Sequence, residues 1–184
     1  MGDVTKLEIP ARRYSGFAQT MHWLIALTIF CMFTLGLLFD DFPKGAKTWW
    51  VNIHVTTGLV LFALILARLL YRARNNPPPP PAGLSDVVRK AGTASHHLMY
   101  LLMVVIPIVG IVAYVWHGRI FDYGLFQIDF HVPANRAVYP KAEDIHGYLA
   151  YILMGLVTLH VLATLWHQFI RKDGLIWRML PGGK

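Results

Sequence analysis

The sequence predicts an all-α integral membrane protein, an antiparallel bundle of four helices. Three observations carry that expectation. The 184-residue chain is 55% hydrophobic and only 15% charged, with a mean hydropathy of +0.46, well above a soluble domain. Four runs, about 15–39, 49–70, 96–116 and 145–169, reach the roughly 20 apolar residues needed to cross a bilayer. The basic residues avoid these runs and gather at their ends, as they do in membrane proteins. The length suits one domain, so 1–184 is taken as a single transmembrane unit.

The first run follows "ARRYSGF", whose Arg12 and Arg13 read as charges flanking a retained helix. A cleavable leader is not expected, because the run is too long for a signal segment and no A-x-A-like site follows. "DDFPKGAKT" makes a tight first turn. The second linker, "RARNNPPPPPAGLSDVVRK", is polar, and its prolines 77–81 form a stiff extended spacer. The third connection, 118–144, is the longest and mixes aromatics, Pro133, Pro140 and both charge signs. Loops of that length have a job or are disordered. Trp49, Trp50, Trp116 and Trp166 fall near segment ends, as in aromatic belts.

The charge bias sets the orientation. Lys6, Arg12, Arg13, Arg72, Arg74, Arg89, Lys90, Arg171, Lys172, Arg178 and Lys184 lie on one side. Only Lys44, Lys47, Arg119, Arg136 and Lys141 lie on the other. Both termini are therefore expected in the cytoplasm. The net charge of +7 does not point to nucleic acid, because the cations sit at segment ends. The single cysteine, Cys31, excludes disulfides, cysteine-type zinc sites and covalent C-x-x-C-H haem.

Nine histidines in so apolar a chain need an explanation, since titratable rings at membrane depth are costly. His22 lies early in a helix entering from the cytoplasm. His54 lies early in a helix returning from the far side. His146 opens the fourth run near that far side, and His160 follows 14 residues later, roughly 21 Å deeper and on the same face. Two pairs result: His54 with His146 outside, and His22 with His160 inside. A single such residue is most often a core histidine bonded to a neighbour. Four at two levels on three helices favour two haems, each held between facing imidazoles in the bundle core. Gly58, one turn past His54, would let a flat macrocycle approach the backbone. Arg68, 14 residues after His54, needs an anion: a propionate of the inner haem, or lipid phosphates reached by snorkelling. His167 is open between an alternative inner ligand, a quinone-site residue and an interfacial histidine. His96 and His97, with Tyr100 one turn on, would line a quinone or proton site, or cap the third helix. His117 and His131 look solvated. Met32, Met99, Met103 and Met154 read as packing.

These residues carry a family likeness. "HW" at 22–23, "NIHVTTG" around His54, "RLLYR" at 68–72, "HHLMYLLMVVIPIVGIVAY" at 96–114 and "HGYLAYILMGLVTLH" at 146–160 resemble the bacterial cytochrome b561 family of di-haem inner-membrane proteins. The resemblance covers nearly the whole chain. It implies two haem b groups on His22, His54, His146 and His160, a multi-pass place in the inner membrane and electron transfer to ubiquinone. One branch oxidises periplasmic superoxide to oxygen; other relatives are haem-bearing subunits of larger enzymes.

Three functions follow in order of expectation. The first is a superoxide:ubiquinone oxidoreductase, in which outward Lys44, Lys47, Arg119, Arg136 and Lys141 steer the anion, diluted by Asp40, Asp41, Asp122, Asp129, Glu143 and Asp144. The second is a membrane subunit passing electrons between a separate redox partner, such as a periplasmic donor, and quinone. The third is a His-lined metal transporter, which predicts no haem.

Overall fold

The computed structural model describes residues 13–81, 83–123, 125 and 127–180. Lys6, Arg12 and Lys184, used in the charge bias, lie outside the described residues.

Four long helices dominate: α1 (Gly16–Leu37), α2 (Lys44–Arg74), α3 (Asp86–Trp116) and α4 (Tyr139–Trp166). All four are long and apolar enough to cross a membrane. Their starts are set by local chemistry. The Ser15 hydroxyl accepts from the Ala18 amide at 3.2 Å and opens α1, and Ser85 does the same for α3 through Val88 at 3.4 Å, each satisfying a donor the helix cannot. After Asn75, which caps α2, the prolines have no amide with which to continue it.

Three of the expected starts differ most from those observed. α2 begins at Lys44, α3 at Asp86 and α4 at Tyr139, each earlier than hydropathy marks. The early turns are polar and still helix-competent, so an apolar window stops before the helix does. The second linker is thus shorter than expected, and His96 sits nearly three turns inside α3 instead of capping it. The third connection carries a short antiparallel ladder, β1 (Phe121–Asp122) with β2 (Gln127–Ile128). Buried Asn52 anchors it by donating to the Asp122 carbonyl at 2.8 Å. The Tyr114 hydroxyl shares its proton between Asn52 Oδ1 at 2.7 Å and the Ile120 carbonyl at 3.0 Å. Gly118 turns the chain out of α3 at φ +73°, where a Cβ would also meet Ala134 at 3.2 Å.

α3 packs on α4 and on α2, and α1 on α2. α1 meets α4 through side chains, including Phe33 against Tyr151 with ring centres 5.4 Å apart. The apolar clusters are small: Ile25, Leu61 and Ile65 between α1 and α2, and Met99, Leu102 and Leu153 between α3 and α4. Only 6% of the most apolar window of α1 and of α4 is buried, against 22% for α3. The apolar surface left outside is what lipid requires of spanning helices, whose backbone polar groups are satisfied internally.

Beyond Trp166 the last helix loosens into a π-turn, His167–Arg171, and a 3₁₀ turn, Leu175–Arg178. This tail folds back under the bundle. The Trp23 indole donates to the Met179 carbonyl at 2.8 Å, Gln19 to the Arg178 carbonyl at 3.2 Å, and buried Arg178 to the Pro79 carbonyl at 2.6 Å.

Candidate functional site

The four histidines singled out by depth face one another in two pairs. His54 on α2 and His146 on α4 have ring centres 6.1 Å apart, with planes at 72°. His22 on α1 and His160 on α4 have centres 6.4 Å apart, at 68°. All four side chains are partly buried.

The first pair is closely built. The His146 ring lies 2.9 Å from the Ile106 carbonyl through Nδ1. A carbonyl only accepts, so Nδ1 carries the proton and Nε2 presents a lone pair. Gly110, one turn along α3 from Ile106, makes that approach possible: a Cβ there would fall 2.9 Å from His146 Nδ1 and 3.0 Å from Cε1. A Cβ on Gly36 would come to 3.8 Å from His54 Cε1, and Phe39 stacks edge-on to His54 at 5.2 Å. Among the described residues His54 Nδ1 is buried with no hydrogen-bond partner, which costs about 1–3 kcal/mol unless something binds it. Gly58 stands away from these rings; its Cβ would meet the Met32 methyl at 3.6 Å.

The second pair has a third ring beside it. His96 on α3 lies 5.2 Å, centre to centre, from His160. Its Nδ1 donates to the Gly92 carbonyl at 2.7 Å. Arg68 is drawn into the bundle, donating from Nη1 to the Ala18 carbonyl at 2.7 Å and from Nε to the Tyr100 hydroxyl at 3.3 Å.

Other expectations fare differently. His167 is buried: its Nδ1 meets Asp173 Oδ2 at 2.5 Å, and Arg171 approaches the same oxygen at 3.4 Å. His117 is half-buried; it lies against Tyr139 with centres 4.4 Å apart and planes tilted at 48°, and receives a hydrogen bond from Arg119 at 3.2 Å. His131 is exposed. Of the cations expected to face outward, Lys44, Arg136 and Lys141 are exposed, while Lys47 pairs with Asp40 at 2.8 Å. That contact holds the Asp40 carboxyl below its ordinary pKa, chiefly by hydrogen bonding. Among the described residues, no group of three or more His, Cys, Asp or Glu side chains is arranged to hold a metal ion.

A four-helix membrane bundle with facing imidazole pairs in its interior defines a class: the multi-pass helical cytochromes that carry electrons within a bilayer. Residues 13–182 match the family model of prokaryotic cytochrome b561, and the chain belongs to that family. It is 28% identical to cytochrome b561 homolog 1 of Escherichia coli K12 over 94% of this chain and 99% of that protein. It is 30% identical to cytochrome b561 homolog 2 of the same organism, over 91% of each. It is 27% identical to a Yersinia pestis protein named "Probable superoxide oxidase CybB", over 92% of this chain and 97% of the relative. The protein is thus a bacterial multi-pass membrane protein of an electron-transfer family that uses b-type haem.

The described residues fit that group. Facing imidazoles with ring centres about 6 Å apart would leave room for an iron to be held between their nitrogens at about 2 Å from each. Both pairs have that spacing. His54 Nδ1 has no hydrogen-bond partner among the described residues, and His146 Nε2 keeps a lone pair; imidazole nitrogens of this kind are the donors such a site needs.

Proposed function

We propose that His54 and His146 hold an outer haem b, that His22 and His160 hold an inner one, and that the chain passes electrons from periplasmic superoxide to ubiquinone. The observation that carries this is the recurrence of one spacing: two imidazole pairs at two levels of one bundle, each wide enough for an iron between them. Haem, when bound, supplies reversible one-electron transfer.

The chain's own residues do the rest. The Ile106 carbonyl fixes the His146 tautomer and ring plane, as outer partners of ligating histidines do. Gly110 and Gly36 leave the clearance that lets rings come close to backbone. Arg68, held between α1 and α3, places positive charge beside the inner pair, where a propionate would lie. Exposed Lys44, Arg136 and Lys141 draw an anionic donor toward the outer pair. Two superoxide ions give two molecules of oxygen and two electrons; with two protons these reduce one quinone to quinol. The name of the Yersinia relative supports superoxide as donor. The charge bias supports cytoplasmic termini, and the whole chain acts as one transmembrane unit.

The test is direct. Purified protein should show a reduced-minus-oxidised b-type spectrum with two haems per chain. Enzymatically generated superoxide should reduce it, and added ubiquinone should reoxidise it with no other subunit present. Haem reduction only by a separate protein donor would replace this function with that of a membrane subunit. A spectrum without haem would overturn the haem sites altogether.

A further inference from the structure

Where α1 begins and α2 ends, a cavity of about 370 Å³ opens between α1, α2, α3 and the proline linker. Three guanidinium groups line it, those of Arg13, Arg68 and Arg72, together with Ser15, Tyr71 and Tyr100. Among the described residues no Asp or Glu lines it.

The cations are built in. Tyr100 orients two of them: its hydroxyl receives Arg68 Nε at 3.3 Å, and the Arg72 guanidinium carbon lies 5.5 Å over its ring centre, within cation–π range. Arg68 and Arg72 are one helical turn apart on α2, and like charges at that spacing repel. Arg13 comes from the other wall, donating to the Leu180 carbonyl at 2.5 Å. The Ser15 and Tyr71 hydroxyls meet at 2.7 Å and add polar atoms to the rim. Positive charge at the C-terminal end of α2 also suits the helix dipole, but the dipole does not require Arg13 to converge from the segment before α1. Phe17, half exposed and tilted against Tyr71 with ring centres 4.7 Å apart, supplies an apolar flank next to the charged wall.

We propose that this cavity binds a phosphate group, that of an anionic phospholipid headgroup, with Arg13 and Arg72 as its principal contacts and an acyl chain along Phe17. Planar guanidinium forks match phosphate oxygens. The place suits a lipid, because the cavity lies at the end of membrane-spanning segments, the level of headgroups. Arg68 is shared with the inner histidine level, so the test leaves it unaltered.

The experiment is native mass spectrometry of the haem-loaded full chain in detergent, with phosphatidylglycerol and phosphatidylcholine added in equal amounts. The unaltered protein should retain phosphatidylglycerol about tenfold over phosphatidylcholine. Arg72→Gln and Arg13→Gln should each lower that retention about tenfold, the worth of one charge-assisted hydrogen bond, with haem content unchanged. Arg72→Lys should recover part of it, keeping charge but losing the fork. Inorganic phosphate, titrated calorimetrically, separates the sources. Displacement of the lipid at millimolar phosphate would keep the phosphate site and assign it to the free ion, whereas indifference to phosphate keeps the lipid. Equal retention of both lipids, or retention insensitive to both glutamine variants, overturns the proposal and leaves the arginines to topology alone. Loss of haem together with lipid overturns it in favour of a propionate. The lipid competition on the unaltered protein needs no variant to fold.

Discussion

Gly110→Ala is the sharpest test of the outer site, because one methyl group is aimed at one ring. The new Cβ would stand 2.9 Å from His146 Nδ1 and 3.0 Å from Cε1. Ordinary contact begins at about 3.4 Å, so the ring or α3 must yield by about half an ångström. The hydrogen bond from His146 to the Ile106 carbonyl, 2.9 Å long, is in the path of that shift. Its loss costs about 0.5–1.5 kcal/mol, and loss of such an outer partner commonly lowers metal affinity 10–100-fold. Against this, alanine inside a helix gains about 0.5–1 kcal/mol over glycine, so α3 itself should not weaken. Gly92→Ala on the same helix, where a Cβ meets nothing within 4 Å, is the matched control and should be neutral or stabilising. Haem per chain by pyridine haemochrome, with a redox titration, should fall toward one in Gly110→Ala and stay at two in Gly92→Ala. Two haems with unchanged potentials in Gly110→Ala would refute the reasoning, since His146 would then not depend on this approach.

Further outcomes follow from the pairs and the charges. His54→Ala or His146→Ala should remove mainly the outer haem, and His22→Ala or His160→Ala the inner one, whereas His167→Ala should keep both; two haems with unaltered low-spin spectra in any of the first four would sink the ligand assignment. Reporter fusions at Lys184 and near Gly45 should report cytoplasm and periplasm respectively, and a periplasmic signal at Lys184 would exchange the two levels. Haem reduction by superoxide should slow as salt shortens the Debye length, about 10 Å at 0.1 M. Charge reversal at Lys44, Arg119, Arg136 or Lys141 should slow it too, and Lys47→Glu less, because Asp40 already offsets that charge. Rates indifferent to salt and to all five reversals would favour a docked protein donor.

The sequence by itself determined the class of protein, its four spans and the two levels of histidines. Hydropathy, helix rise and helix face are properties of one segment at a time, so His146 and His160 could be placed on one stripe before any neighbour was known. The tertiary structure decided what depends on how helices rotate and cross. It set His146 against the Ile106 carbonyl, a backbone atom that leaves no mark in a sequence. It put a close contact between glycine and a histidine ring at Gly110 on α3, which no spacing within one helix shows. It brought His96, well inside a helix that hydropathy started ten residues late, beside His160. It turned His167 inward onto Asp173 through a π-turn. It also gathered Arg68 and Arg72 of α2 and Arg13, from the segment before α1, around one cavity. Apart from the local His167–Asp173 pair, these are contacts between segments far apart in the chain, and the pattern of a single helix says which face is apolar, not which neighbour that face will meet.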